Sequence, residues 1–304
     1  MLSPFRCAVL GVLAACSSAP STIDAALTAR VEAAVADLGP GVRASVWLSP
    51  PLGEPLVALD ADVSLPVASA IKVGYLVELF AAFPDGLDAP LPGAPALLLD
   101  DRPTVAHFRP EQREAARKAL ANASVHRIGE AMISGQGVDN ATYNIAANVV
   151  TAHFGGPARL RARLHARDPS WRGLQVRRYM LTDRRVHGDN EATARSLAAV
   201  HGMLASGAVP DVDPRAVAAA RAVLAKADDP TGRKVFAKGG SLDSEPVTRV
   251  EGGWHEGADG ALVHVVMLVQ DGVAPGERTA AGTRLAAAAR RIEQMLLAGT
   301  GSKP

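Results

Sequence analysis

LPVASAIKVGYL, residues 65 to 76, sets Ser69 three positions ahead of Lys72 inside a run of apolar residues. A lysine flanked by Val67, Ile71, Val73 and Leu76 is headed for an interior, where an ammonium is disfavoured. At the head of a helix, Ser-x-x-Lys puts both side chains on one face, a turn apart. Serine is a weak nucleophile and needs a base beside it, and a lysine of depressed pKa can take its proton. The helix start adds free N–H groups and positive potential that favour an oxyanion. The plain alternative is a capping serine followed by a surface lysine, and these four residues alone do not choose between the two.

The flanking sequence supplies an architecture. Before this stretch, DAALTARVEAAVADLG from Asp24 places Leu27, Val31, Ala34, Val35 and Leu38 on one helical face, and Gly39-Pro40 stops it. VRASVWLS and PLVALD follow as strands joined by a Pro-Gly turn. After it comes a helix through Ala82 and a Pro-rich loop, and then helical pattern from Pro110 to about Lys226. RKVFAKGGS, PVTRVEGGWHE and ALVHVVMLVQD return to strand pattern. A last helix over roughly 275–297 carries Leu285, Ala289, Ile292 and Leu296 on one stripe. The expected fold is α+β of three-layer αβα type. Strands from both ends of the chain form one five-stranded antiparallel sheet, packed by the N- and C-terminal helices, with an all-helical lobe inserted. Residues 24–298 are expected to be a single domain of two lobes, 24–66 with 230–298 and 67–229, with the site between them.

The chain has 304 residues, 48% hydrophobic and 21% charged, enough for a sizeable core. A formal charge of +1 and 4% aromatics give no case for a nucleic-acid partner. MLSPFRCAVLGVLAACSSAPST has one arginine, Arg6, and then an apolar run too short to span a bilayer, the layout of a secretory leader. Leu13-Ala14-Ala15-Cys16 resembles the bacterial lipobox, which makes 1–15 the signal peptide, Cys16 the lipid attachment site and 16–23 a polar tether; the alternative is an ordinary leader cut near Ala19. Either way the mature chain is expected to be exported, periplasmic or at the cell surface, with the lipid as its membrane contact. The only two cysteines, Cys7 and Cys16, lie in the leader, so the domain has no disulfide and no thiolate chemistry.

Two further stretches turn Ser69 and Lys72 into a constellation. MISGQGVDNATYNIAANVVTAHFGGPARL covers residues 132–160, and KVFAKGGSLDS follows on a later strand. Together with Ser69-x-x-Lys72 they resemble the penicillin-recognising serine hydrolases, specifically the class A β-lactamases and their relatives. Those carry a Ser-Asp-Asn loop followed by an Ala-Ala-Asn helix and a Gly-Gly-Pro turn. Here Ala146-Ala147-Asn148 and Gly155-Gly156-Pro157 lie at that spacing, so the triplet becomes Thr142-Tyr143-Asn144. Asp139-Asn140 offers a rival register. The resemblance implies Thr142 as proton relay and Asn144 as a substrate ligand. It implies Lys238 of Lys238-Gly239-Gly240 as the carboxylate-attracting cation on an edge strand. The N–H groups of Ser69 and Ser241 would form an oxyanion hole.

The family's omega-loop glutamate has no counterpart. Arg177, Arg178, Tyr179, Met180 and Leu181 stand where it belongs, with Asp183 and Glu191 the nearest acids and Asp189, Asn190 or Thr193 as caps for the next helix. Gly239 also lacks the hydroxyl found in the family's Lys-Thr-Gly. Elsewhere there is no Gly-x-Ser-x-Gly elbow, and no histidine pair has zinc-ligand spacing, so neither metal nor cofactor is expected. Arg249 is expected on the solvent face of its strand. The resulting expectation is a monomeric acyl-enzyme hydrolase acting on β-lactam, amide or ester substrates. Ser69 is its nucleophile, Lys72 its base, and Asn144, Lys238, Gly240 and Ser241 its substrate contacts. A D-alanyl-D-alanine peptidase is a variant of this reading. The contrasting class is a degenerate envelope module that uses the same cleft to bind a peptidoglycan peptide or a protein.

Overall fold

The computed structural model describes residues 23–299. Asp24 accepts the Leu27 N–H and caps α1 (Ala25–Ala36). β1 (Val42–Ser49) and β2 (Val57–Leu59) form the expected hairpin, and β3 (Leu65–Pro66) leads into a 3-10 turn, Ala68–Ile71. The helical lobe follows with α2 (Lys72–Ala82), α3 (Ala94–Leu97), α4 (Pro110–Leu120), α5 (Val125–Ile133), α6 (Asn140–His153) and α7 (Pro157–Arg167). An irregular segment then holds α8 (Arg184–His187) and β4 (Glu191–Ala192), before α9 (Ala194–Ser206) and α10 (Pro214–Leu224). The chain closes with β5 (Lys234–Ala237), β6 (Gly240–Leu242), β7 (Val247–Gly257), β8 (Gly260–Gln270) and α11 (Arg278–Gly299).

Strands from the two ends of the chain do meet. The sheet order is β2-β1-β8-β7-β5, with β6 also on β7, and every pairing is antiparallel. β5 and β6 pair with β7 in one continuous register, Ala237 opposite Gly253 and Gly240 opposite Val250. The expected fifth strand is therefore present but interrupted at Lys238-Gly239, which gives six pieces. α1 and α11 cover one face through Leu27, Val31, Leu285 and Ile292, packed on Leu48 and Val266. The other face presents Trp47, Trp254 and Val265 to the helical lobe.

α2 is the hub of that lobe and packs against α5, α6, α7, α9 and α10. Every residue from Lys72 to Phe80 is buried, so it has no solvent face, as a helix apolar on all sides requires. Gly129 of α5 makes this possible, since a Cβ there would fall 2.8 Å from the Phe80 ring. Glu78 is the one acid on this helix and is 1% exposed. Arg163 and Arg167 of α7 hold it at 3.1 and 2.9 Å.

One expectation fails. Helical pattern was read without a break from Pro110 to Lys226, yet residues 174–193 are largely irregular. Tertiary contacts override propensity there: β4 pairs with β3 through Leu65 opposite Ala192, and the buried Arg178–Asp189 ion pair ties the loop to itself at 2.7 Å. Thr193 caps α9 by accepting the Ser196 N–H. The leader, Cys16 and most of the tether lie outside the described residues. No helix among the described residues is long and apolar enough to cross a membrane.

Glu78→Ala should lower unfolding free energy in urea by about 2 kcal/mol, because Arg167 loses its buried carboxylate partner while Arg163 stays hydrated. A change near zero would mean that water reaches both arginines.

Candidate active site

The nucleophile position is set by backbone strain. Ala68 has φ of +49°, a left-handed conformation that costs a non-glycine residue about 1 kcal/mol or more. Its neighbours hold it there: the Val67 N–H donates to Asn190 O and the Ala70 N–H to Val67 O, both at 3.1 Å. Ser69 follows, half-buried and lining the cleft. In a 3-10 turn side chains three apart eclipse, and the Lys72 N–H closes this turn on Ser69 O. Lys72 therefore rises directly below Ser69.

Lys72 is fully buried. Its amine donates to Asn144 Oδ1 at 3.1 Å and Tyr143 O at 3.4 Å, and stands 3.2 Å from the centre of the Tyr143 ring. The ring's negative face favours the charged amine. Desolvation opposes it, the positive charge of Lys238 adds to that, and the pKa falls well below the ordinary lysine value. Lys238 is 8% exposed; burial pushes its pKa down to about 8 against the pull of Glu251. Its amine donates to the Tyr143 hydroxyl at 2.7 Å.

Tyr143 is thus central, with both amines on one phenol. Burial raises the pKa of its hydroxyl, against the opposing pull of the neighbouring Ser69. Because Lys238 is the donor to this oxygen, the phenolic proton is free for another acceptor. Thr142, the relay expected from sequence, is 2% exposed and does not line the cleft. The reason is where α6 begins. Asp139 caps it by accepting the Thr142 N–H at 2.7 Å, so the helix has already started and turns Thr142 inward while Tyr143 faces Ser69. This also explains the rival register: Asp139 is a cap, and Asn140 positions Asn144 by accepting its Nδ2 at 2.9 Å.

The opposite wall is the β5–β6 edge. The Lys238 N–H donates to Gly252 O at 2.9 Å, so alternation along an antiparallel ladder aims the Ser241 N–H outward from β7. The Ser69 N–H lies at the first turn of its helix and lacks a helical partner. Gly240 brings the two walls together. A Cβ there would sit 2.6 Å from Val67 O and 2.8 Å from the Ser69 nitrogen, so only glycine permits this approach. Arg249 is not on a solvent face: its guanidinium donates to the carbonyls of Leu242 and Thr248, contacts Asp243, and packs against Gly282 of α11.

The floor of this cleft of about 570 Å³ includes Arg178, Met180 and Leu181. Asn148 pins Met180 by accepting its N–H at 2.6 Å and donating to its carbonyl at 3.2 Å. No carboxylate is free on this segment. Asp189 is bound by Arg178 and Arg184, Glu191 by Arg177, and Asp183 caps α8.

Solved structures resemble this fold over most of the chain. PBP-A superposes with a TM-score of 0.66 at 19% identity, covering 93% of this chain and 98% of that one. A variant of it, solved as an acyl-enzyme with penicillin G, gives 0.67 at 18% over 93% and 99%. The β-lactamase of Sphaerobacter thermophilus gives 0.63 at 19% over 91% and 97%. The chain has the class A β-lactamase fold. No family model and no curated protein matches the sequence.

A neutral Lys72 has a thermodynamic signature. Unfolded lysine keeps its proton up to about pH 10.5, whereas this fold releases it earlier, so the unfolded state binds more protons and stability rises with pH. Lys238 adds the same sign between about 8 and 10.5. Urea melts from pH 7 to 10 should show that rise in wild type and a shallower one in Lys72→Met. Equal slopes would mean that Lys72 stays protonated in the fold.

Proposed function

We propose that this protein is an exported serine hydrolase acting through an acyl-enzyme on β-lactam, ester or peptide-like amide substrates. The observation that carries this reading is Ser69 sharing one 3-10 turn with a desolvated Lys72, on a cleft that Tyr143 and its hydrogen-bonded partner Lys238 also line. Lys72 takes the Ser69 proton as the oxygen attacks the substrate carbonyl. The N–H groups of Ser69 and Ser241 receive the oxyanion, a contribution worth about a hundredfold or more per donor. Tyr143, rather than Thr142, passes a proton to the leaving nitrogen or oxygen. Lys238 draws in an anionic substrate, and Asn144 orients both Lys72 and the substrate amide. Cys16 is proposed as the lipid attachment that holds the domain at a bacterial membrane.

Release of the acyl group needs a placed water and a base. With no free carboxylate on residues 177–191, a β-lactam is expected to acylate Ser69 and leave slowly. Esters and peptide-like amides are therefore the better candidates for turnover.

Intact-mass spectrometry with penicillin G should give one adduct per chain, absent from Ser69→Ala and persistent over time. Absence of any adduct with penicillin and with an activated ester would favour a binding module. Met180→Glu, which offers a carboxylate at the cleft floor, should shorten the adduct's lifetime; an unchanged lifetime would remove this floor from the deacylation argument. Tyr143→Phe should slow acylation by about 10²-fold or more, while Thr142→Val stays close to wild type. The reverse order would return the relay to Thr142. Acylation by an anionic substrate should also weaken as pH rises through about 8, where Lys238 loses its charge.

A further inference from the structure

Away from the catalytic residues, the α11 face of the sheet carries a second polar cluster. β7 and β8 are a hairpin in which His255 lies opposite Leu262 and His264 opposite Gly253. The two histidines are therefore diagonal neighbours on one face, their ring centres 5.3 Å apart. Glu293 of α11 reaches down between them. Its Oε1 lies 2.9 Å from His264 Nε2 and 3.5 Å from His255 Nε2. One ligand atom from each of the three residues falls within 4.8 Å of the others.

The surroundings orient these groups. Asp229 Oδ2 stands 3.1 Å from His255 Nδ1, which fixes the proton on Nδ1 and turns a lone pair at Nε2 toward Glu293 and His264. That Nε2 is buried and makes no hydrogen bond. A carboxylate behind a histidine is the usual support of a metal ligand. His255 is 6% exposed and His264 1%. Glu293 and Asp229 remain 20% and 17% exposed, which gives an ion a way in.

We propose that His255, His264 and Glu293 bind one divalent transition-metal ion, zinc being the best match, with water completing the shell. Two imidazole nitrogens and one carboxylate oxygen are borderline donors; calcium and magnesium prefer oxygen alone. Ligands of a tetrahedral ion with bonds of about 2.0–2.1 Å stand roughly 3.3 Å apart; the two separations from Glu293 Oε1, 2.9 and 3.5 Å, bracket that, and the third pair lies within 4.8 Å, so side-chain shifts complete the site. The three ligands come from three elements, so the ion clamps α11 to the β7–β8 hairpin. It takes no part in acylation. The sequence rule for zinc pairs missed it because nine positions across a hairpin is not a helical or loop spacing.

The test uses the chelator-stripped chain. Cobalt(II) should give a visible absorption band saturating at one ion per chain, displaced by zinc. Zinc at a hundredfold excess over its dissociation constant should raise the melting temperature by about 5 °C or more. Glu293→Gln and His255→Asn should lose the band and the shift, with folding checked by metal-free melts. Asp229→Asn should weaken affinity about 10-fold or more. His187→Ala, at the exposed last residue of α8, should change nothing. No band in wild type would overturn the proposal and leave an ion-paired cluster. So would equal binding by wild type, Glu293→Gln and Asp229→Asn, which would assign the metal to surface histidines.

Discussion

A lysine amine deprived of water is the constraint around which the cleft is organised. Nothing about α2 lets Lys72 escape to solvent, because the helix is buried on every side. The amine must find its partners inside, and Asn144 and Tyr143 supply them from α6. Those contacts join α6 to α2, and burial lowers the pKa of the amine. Ser69 shares a single 3-10 turn with this residue, so the packing that buries Lys72 also fixes the position of Ser69. The strained φ of Ala68 is tolerated because β3, Asn190 and the turn over-determine it.

Tyr143 carries the coupling between lobes. It belongs to α6, yet its hydroxyl takes a hydrogen bond from Lys238 on the sheet side. Gly240 allows the edge strand to approach the Ser69 turn at van der Waals limits, which brings the Ser69 and Ser241 backbones to one cleft. A cleft whose walls are joined by its own reactive groups has little freedom to misalign them. Two amines near one phenol also repel each other when both are charged. The lower pKa of Lys72 is a consequence of burial first and of Lys238's position as well.

Much of this is legible in the chain. The two sets of strands, the capping helices and the buried Lys72 follow from periodicity and composition, since core burial writes itself directly into apolar pattern. Lys238 and Ser241, which the resemblance singles out, line the cleft, and the glycine at 240 makes sense only once a neighbouring backbone is seen. Three features lay beyond such reading. Thr142 and Tyr143 are adjacent, and which of them faces the cleft depends on the single residue at which α6 begins; the Asp139 cap was the available signal. Residues 174–193 look helical locally and are held open by Asn148, Asn190 and the Arg178–Asp189 pair, all of them long-range or loop-specific contacts. His255 and His264 join only through strand pairing, and their third partner, Glu293, comes from a helix that follows the hairpin.

The sheet's topology bears on when the molecule becomes reactive. β1 and β8 are neighbours, and Arg43 beside Asp271 closes a span of 228 residues. Contacts so distant in sequence form late, because the chain entropy must be spent before they can return anything. The helical lobe can condense from local contacts as the chain emerges, already bearing Ser69, Lys72 and Tyr143. Lys238 and the Ser241 N–H arrive only with the final strands. A chain growing from its N-terminus therefore lacks the β5–β6 wall of this cleft until its last quarter has been made.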